Sequence, residues 1–129
     1  MSRRDFPADV LHFIESRIDS VPHLESLLLF WQSQRASWGE ADIAARVYVS
    51  VERGRVIIAD LARYGFVTAV EGQPGRFVYA PEWDDTRMME RLAELYRRHV
   101  VQVASLIHEK TAPGAVRDFA RAFQLKDGD

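Results

Sequence analysis

The stretch that decides the fold runs from residue 37 to residue 81 and reads SWGEADIAARVYVSVERGRVIIADLARYGFVTAVEGQPGRFVYAP. Ser37 is followed three residues later by Glu40, which is the capping-box arrangement, so a helix is predicted to begin here. Its inward side would hold Ile43, Ala44 and Val47. Ser50 then offers a second N-cap, for a helix that ends at Gly65.

Two β-rich runs follow the second helix and flank a turn. Residues 66–70 and 76–80 contain β-branched and aromatic residues, and Glu71–Gly75 between them contains glycine and proline. This pattern predicts a two-stranded antiparallel hairpin with residues 71–75 at its tip. The order helix, tight turn, helix, hairpin is the one that places a helix in a DNA major groove with a hairpin beside it.

The helix predicted after Ser50 has two distinct faces. One side would pack on the core and holds Gly54, Ile57, Ile58, Leu61 and Tyr64. The other side, together with one arginine of the hairpin, is the candidate surface for DNA or for a docking protein: Val51, Glu52, Arg53, Arg55, Val56, Ala59, Arg63 and Arg76. In a groove, Arg55 would bind guanine in bidentate fashion. Two valines and an alanine make this face unusually apolar for a solvated helix, so we expect DNA or another protein to cover it.

Helices are also predicted before and after this stretch. The first begins near Pro7, and the second begins near Pro22 and is apolar nearly all round, which places it at the buried centre. After the hairpin, a long helix is expected over residues 85–110 and a short final helix after Pro113. The fold class is therefore α+β, mostly α, in a single domain over residues 1–129. Its core would be residues 22–81, and residues 84–125 would form a C-terminal helical extension.

The apolar face of the long helix predicts a homodimer. A rod of about 39 Å, at about 1.5 Å per residue, is too long for one small core to cover throughout. A two-fold dimer would bury the remainder and space two recognition helices for a palindromic site. The interface would consist of Met88, Met89, Leu92, Tyr96, His99, Val103, Leu106 and Ile107.

Composition and charge exclude several classes of protein. The 129 residues are 47% hydrophobic and 28% charged, which is ordinary for a globular protein, and there is no cysteine. The net charge is −2, and between residues 37 and 81 five arginines are balanced by five carboxylates: Arg46, Arg53, Arg55, Arg63 and Arg76 against Glu40, Asp42, Glu52, Asp60 and Glu71. No catalytic, metal or cofactor site is predicted, because the four histidines lack metal-ligand spacing and no nucleophile motif is present. A cytoplasmic protein that is not an enzyme and does not enter a membrane is expected.

The arrangement resembles the bacterial winged helix-turn-helix regulators, a group that includes the MarR-like and PadR-like repressors. The resemblance covers residues 24–81 and rests on Ser37–Val47, Ser50–Gly65 and the hairpin. It implies a winged helix-turn-helix with two N-terminal helices, a two-stranded wing, a long C-terminal helix and a short final helix. Two positions depart from the pattern: Tyr48 stands where the turn often has glycine, and Arg76 is the one basic residue of a wing that often carries several.

Three functions remain open from the sequence. The resemblance implies a transcriptional regulator that binds double-stranded DNA. The alternative that ranks second is a winged-helix module that docks a protein through the same apolar face and does not bind DNA; the neutral charge balance counts against DNA binding and leaves this alternative unaffected. A small-ligand sensor, with a pocket between the long helix and the core near Tyr96 and His99, is the third alternative.

Overall fold

The computed structural model describes residues 5–110, which are mostly helical with one small antiparallel sheet. This agrees with the predicted α+β, mostly α, class. In chain order the elements are α1 (Ala8–Arg17), α2 (Val21–Gln32), α3 (Glu40–Val47), α4 (Val51–Arg63), β1 (Val67–Ala69), β2 (Phe77–Tyr79) and α5 (Thr86–Arg98), and helical backbone resumes over residues 100–110. The final helix predicted after Pro113 lies outside the described residues. Within residues 5–110, no helix has the length and apolarity that crossing a membrane requires.

The chain separates into two compact units. The central unit is Pro22–Glu94, and the terminal unit holds the residues before and after it. The predicted core, residues 22–81, lies entirely within the central unit. The predicted C-terminal extension is divided between the two units, because the boundary falls inside α5.

Helix α2 supplies the middle of the central unit, as its apolar sequence predicts. Its buried residues cover a broad side of the helix, whereas Glu25 and Gln32 on the other side are exposed. The buried residues are His23, Leu24, Ser26, Leu27, Leu28 and Phe30. Helix α3 buries Ile43, Ala44 and Val47, and α4 buries Gly54, Ile57, Ile58 and Leu61. Each fully buried leucine or isoleucine contributes about 1.5–3 kcal/mol, so these three helices hold most of the stabilising apolar surface of the unit.

Helix α3 begins later than the capping box predicts. Its N-cap is Gly39 rather than Ser37, and the Asp42 carboxylate accepts a hydrogen bond from the Gly39 N–H at 2.9 Å. The reason is that Trp38 forms an antiparallel bridge with Phe77, in which each residue donates its N–H to the carbonyl of the other. Residues 37 and 38 are therefore extended, and the helix begins only after them.

The predicted hairpin is confirmed. Strands β1 and β2 pair antiparallel with Val67 opposite Tyr79 and Ala69 opposite Phe77, so residues 70–76 form the connection. Gly72 and Gly75 in this connection have φ of 78° and 80°, a conformation that side chains disfavour. Because β2 also contacts Trp38 on its other edge, the hairpin is tied to the start of α3.

The turn between α3 and α4 contains a residue in the left-handed conformation. Tyr48 has φ 60° and ψ 49°, and it is the one residue other than glycine with positive φ among residues 5–110. Ser50 then caps α4 through its Oγ, which accepts a hydrogen bond from the Arg53 N–H at 3.0 Å. At the turn position where a helix-turn-helix often has glycine, Tyr48 therefore adopts the left-handed conformation that glycine adopts most easily.

The long helix predicted over residues 85–110 is interrupted at His99. The i→i−4 hydrogen bonds persist across the interruption, from His99 N–H to the Leu95 carbonyl and from Val103 N–H to the His99 carbonyl. Neither proline nor glycine occurs here, but Val100 and Val101 are β-branched residues of low helix propensity. The apolar periodicity of residues 85–110 therefore continues through His99, although the helix is interrupted at that residue.

A half-buried lysine links the two ends of the described chain within the terminal unit. Lys110 donates from its Nζ to the carbonyl oxygens of Ile14 (3.2 Å) and Ile18 (2.5 Å), at the C-terminal end of α1. Burial lowers the pKa of Lys110, although Asp19 lies 3.9 Å away and opposes that shift. The Ile14 carbonyl also accepts the N–H of Ile18, so Lys110 adds a second donor to the last helical hydrogen bond and a donor to the Ile18 carbonyl just beyond α1.

We expect the substitution Gly54→Ala to destabilise the protein. A β-carbon at this position would lie 2.8 Å from the Glu40 carbonyl oxygen and 3.2 Å from the Ala44 Cβ, so α3 and α4 would have to separate. Overpacking of this kind costs about 1–3 kcal/mol, which outweighs the gain in helix propensity of about 1 kcal/mol at most. Urea unfolding measures the effect, and Arg53→Ala, on the exposed side of the same helix, is the matched control. A more stable Gly54→Ala variant would contradict the packing described here.

We expect Tyr48→Gly to be more stable than Tyr48→Ala. Both substitutions remove the same exposed ring, but only glycine relieves the left-handed backbone, which costs other residues about 1–2 kcal/mol. The greater freedom of glycine in the unfolded chain reduces the difference. The free energies of unfolding of the two variants, measured by urea titration, give the comparison directly. Equal stabilities would show that the turn does not hold residue 48 at positive φ.

Candidate functional site

Helix α4 presents the predicted binding face to solvent. Val51, Glu52, Arg53, Arg55, Val56, Ala59 and Arg63 are all exposed. On the opposite side, Gly54, Ile57, Ile58 and Leu61 are buried, as predicted, and Tyr64 just after the helix is half-buried. The amphipathic pattern therefore predicts correctly which side of this helix is accessible.

Exposed large apolar residues cluster on the accessible side of α4 and in the turn before it. The exposed large apolar residues among residues 5–110 are Tyr48 (93% exposed), Val51 (53%), Val56 (37%), Val100 and Val101. Three of these five lie within nine residues of sequence, at the turn and in the first two turns of α4. We define the α4 face as Tyr48, Val51, Glu52, Arg55, Val56 and Ala59. Such clusters of exposed apolar side chains mark surfaces that contact a partner.

Sequence reasoning missed Tyr48 as a member of this face. The turn conformation directs its ring into solvent rather than onto the core, and the backbone there is strained. Strain of this kind concentrates at functional positions. The signal available in the sequence was the tyrosine itself, at a turn position where the resemblance leads one to expect glycine.

Two of the three exposed arginines of α4, Arg55 and Arg63, are paired with carboxylates of the same helix. Arg55 donates to Glu52 one turn earlier, and this contact lowers the pKa of Glu52. Arg63 donates to Asp60 at 3.1 Å and lies over the ring of Tyr64, 4.7 Å from its centre. The face as a whole therefore presents little net charge to an approaching partner.

Arg76, which the sequence predicts to contact DNA, is half-buried and binds other groups of the protein. Its guanidinium donates to Asp42 Oδ2 (2.5 Å), to Ser37 Oγ (3.2 Å) and to the Ser37 carbonyl oxygen (2.7 Å). The physical reason is the Trp38–Phe77 bridge, which brings the start of β2 against the start of α3. Arg76 therefore fastens the hairpin to α3, and the exposed hairpin tip, residues 71–75, contains no basic side chain.

A hydrogen bond between a buried histidine and a half-buried carboxylate links α4 to α2. His23 of α2 is buried, and its Nε2 lies 2.8 Å from Asp60 Oδ2 on α4. Burial raises the pKa of Asp60, but the hydrogen bonds from His23 and Arg63 outweigh it and hold the pKa below its ordinary value. Asp60 therefore contacts His23 of α2 and the exposed Arg63 of its own helix. His23, which belongs to no motif in the sequence, has a structural role through this contact.

The predicted dimer interface is corrected by burial. Met89, Leu92, Val103, Leu106 and Ile107 are buried within the single chain, whereas Met88, Tyr96 and His99 are half-buried. The single chain already covers these five apolar side chains, which the sequence pattern predicts to be covered by a second copy. Homodimerisation remains a prediction, but this face is not the surface that supports it.

The ligand pocket predicted near Tyr96 and His99 also remains a prediction. Both side chains are half-buried. An open depression of about 450 Å³ lies elsewhere, at the C-terminal end of α2, and is lined by Trp31, Gln32, Ser33, Gln34, Arg35 and Ala36. These residues were not among the predicted site residues.

Comparison with protein-family models, with curated proteins and with solved structures gives no match. The α4 face and the contacts that hold α4 in place are therefore the features that bear on function.

We expect the Asp42 carboxyl to report the Arg76 contact. The hydrogen bond from the Gly39 N–H, followed by that from Arg76, holds the pKa of Asp42 below its usual value. The stability contributed by the carboxylate is therefore present above the unfolded-state pKa of about 3.9 and is lost as the pH falls through the lower folded-state pKa. In Arg76→Gln the pKa of Asp42 should rise but stay below its ordinary value, because the Gly39 contact remains.

Carbon-detected NMR titration of the aspartate carboxyl groups measures this shift. The matched control is Arg53→Gln, which neutralises an exposed arginine on α4 and should leave the Asp42 titration unchanged. An Asp42 pKa that is the same in Arg76→Gln as in the parent protein would show that Arg76 does not contact this carboxylate in solution.

Proposed function

We propose that the chain is a winged-helix module that binds a protein partner through the α4 face and does not bind DNA. Under this proposal α2, α3 and α4 are the three helices of the winged-helix triad, β1 and β2 form the wing, and Trp38 provides the short third strand. The order of these elements, with the Trp38–Phe77 bridge beside the hairpin, supports the winged-helix assignment.

The observation that carries the proposal is the chemistry of the α4 face. Tyr48, Val51 and Val56 are exposed at the position where a DNA-binding member would present its recognition helix. Protein interfaces gain most of their affinity from a few apolar and aromatic anchors at the centre of the contact, and tyrosine is enriched among them. Burial of these apolar side chains against a partner would remove them from water and so stabilise the complex.

The pairing of the arginines argues against DNA in the same region. Non-specific affinity for DNA comes from lysines and arginines that replace the counterions of the phosphates. Arg55 and Arg63 are held by carboxylates of their own helix, and Arg76 is held by Asp42 and Ser37. Each would have to give up a protein contact before it bound phosphate, and the wing tip offers no substitute.

DNA-binding transcriptional regulation is the second candidate, and one observation favours it. Arg53 is exposed in the first turn of α4, and the part of the chain that the structure describes provides it with no ion pair. With Arg55 released from Glu52, two guanidinium groups would be available near the start of a recognition helix. These two side chains could contact base edges, but no residue is then assigned to the contacts with the DNA phosphates.

Photo-crosslinking in cells distinguishes the two candidates. We expect p-benzoylphenylalanine in place of Tyr48 to form a covalent adduct with protein, because residue 48 is the most exposed member of the face and the replacement keeps an aromatic ring. The same amino acid in place of Gln73, at the exposed wing tip, is the matched control and should give little adduct. Adding Val51→Glu should reduce the yield at position 48, because it places a charge in the centre of the contact.

Each alternative outcome has a definite meaning. Crosslinks from position 48 to nucleic acid would replace the docking proposal with the DNA-binding one. Equal yields at positions 48 and 73 would show that the α4 face has no preferred partner and would overturn the proposal.

A further inference from the structure

We draw no further inference here: the strongest candidate, the exposed apolar patch that the α4 face forms at the turn before α4 and along the first turns of that helix, belongs to the site already described, and nothing in the structure shows what covers it.

Discussion

The close approach of α3 and α4 at Gly54 is the constraint on which the central unit depends. The absence of a side chain there lets the Glu40 carbonyl and the Ala44 methyl group lie against the backbone of α4. With α4 seated in this way, Ile57, Ile58 and Leu61 enter the core, and Val51, Val56 and Ala59 are left on the outside. The exposed apolar face is therefore a consequence of how tightly the opposite face is packed.

Two polar contacts fix the orientation that this packing allows. His23 holds Asp60 of α4 from the side of α2, and Arg76 holds Asp42 and Ser37 from the side of the hairpin. Arg55, Arg63 and Arg76 each contact a carboxylate of the same chain, so three of the five arginines in this segment are engaged within the protein.

Much of the fold could be predicted because its signals are local. Ser50 caps α4 through a hydrogen bond to an N–H three residues away, and the glycines of the 70–76 connection permit a turn within a few residues. The apolar sequence of α2 likewise required no knowledge of its neighbours to indicate a buried helix. Where the local signal competed with a distant contact, the prediction was wrong: Ser37 has the residue type of an N-cap, but the Trp38–Phe77 bridge keeps it outside the helix.

The sequence by itself determined the order and type of the elements and which side of α4 would be accessible, because helix and strand periodicity depends on residues close in the chain. Only the tertiary structure decided which of those accessible residues carry free charge and which apolar faces stay uncovered. Arg76 and Ser37 are 39 positions apart, and their contact exists only when the hairpin folds back on α3. The burial of Met89 and Leu92 and the exposure of Tyr48 likewise follow from packing and backbone conformation, which no spacing of residue types specifies.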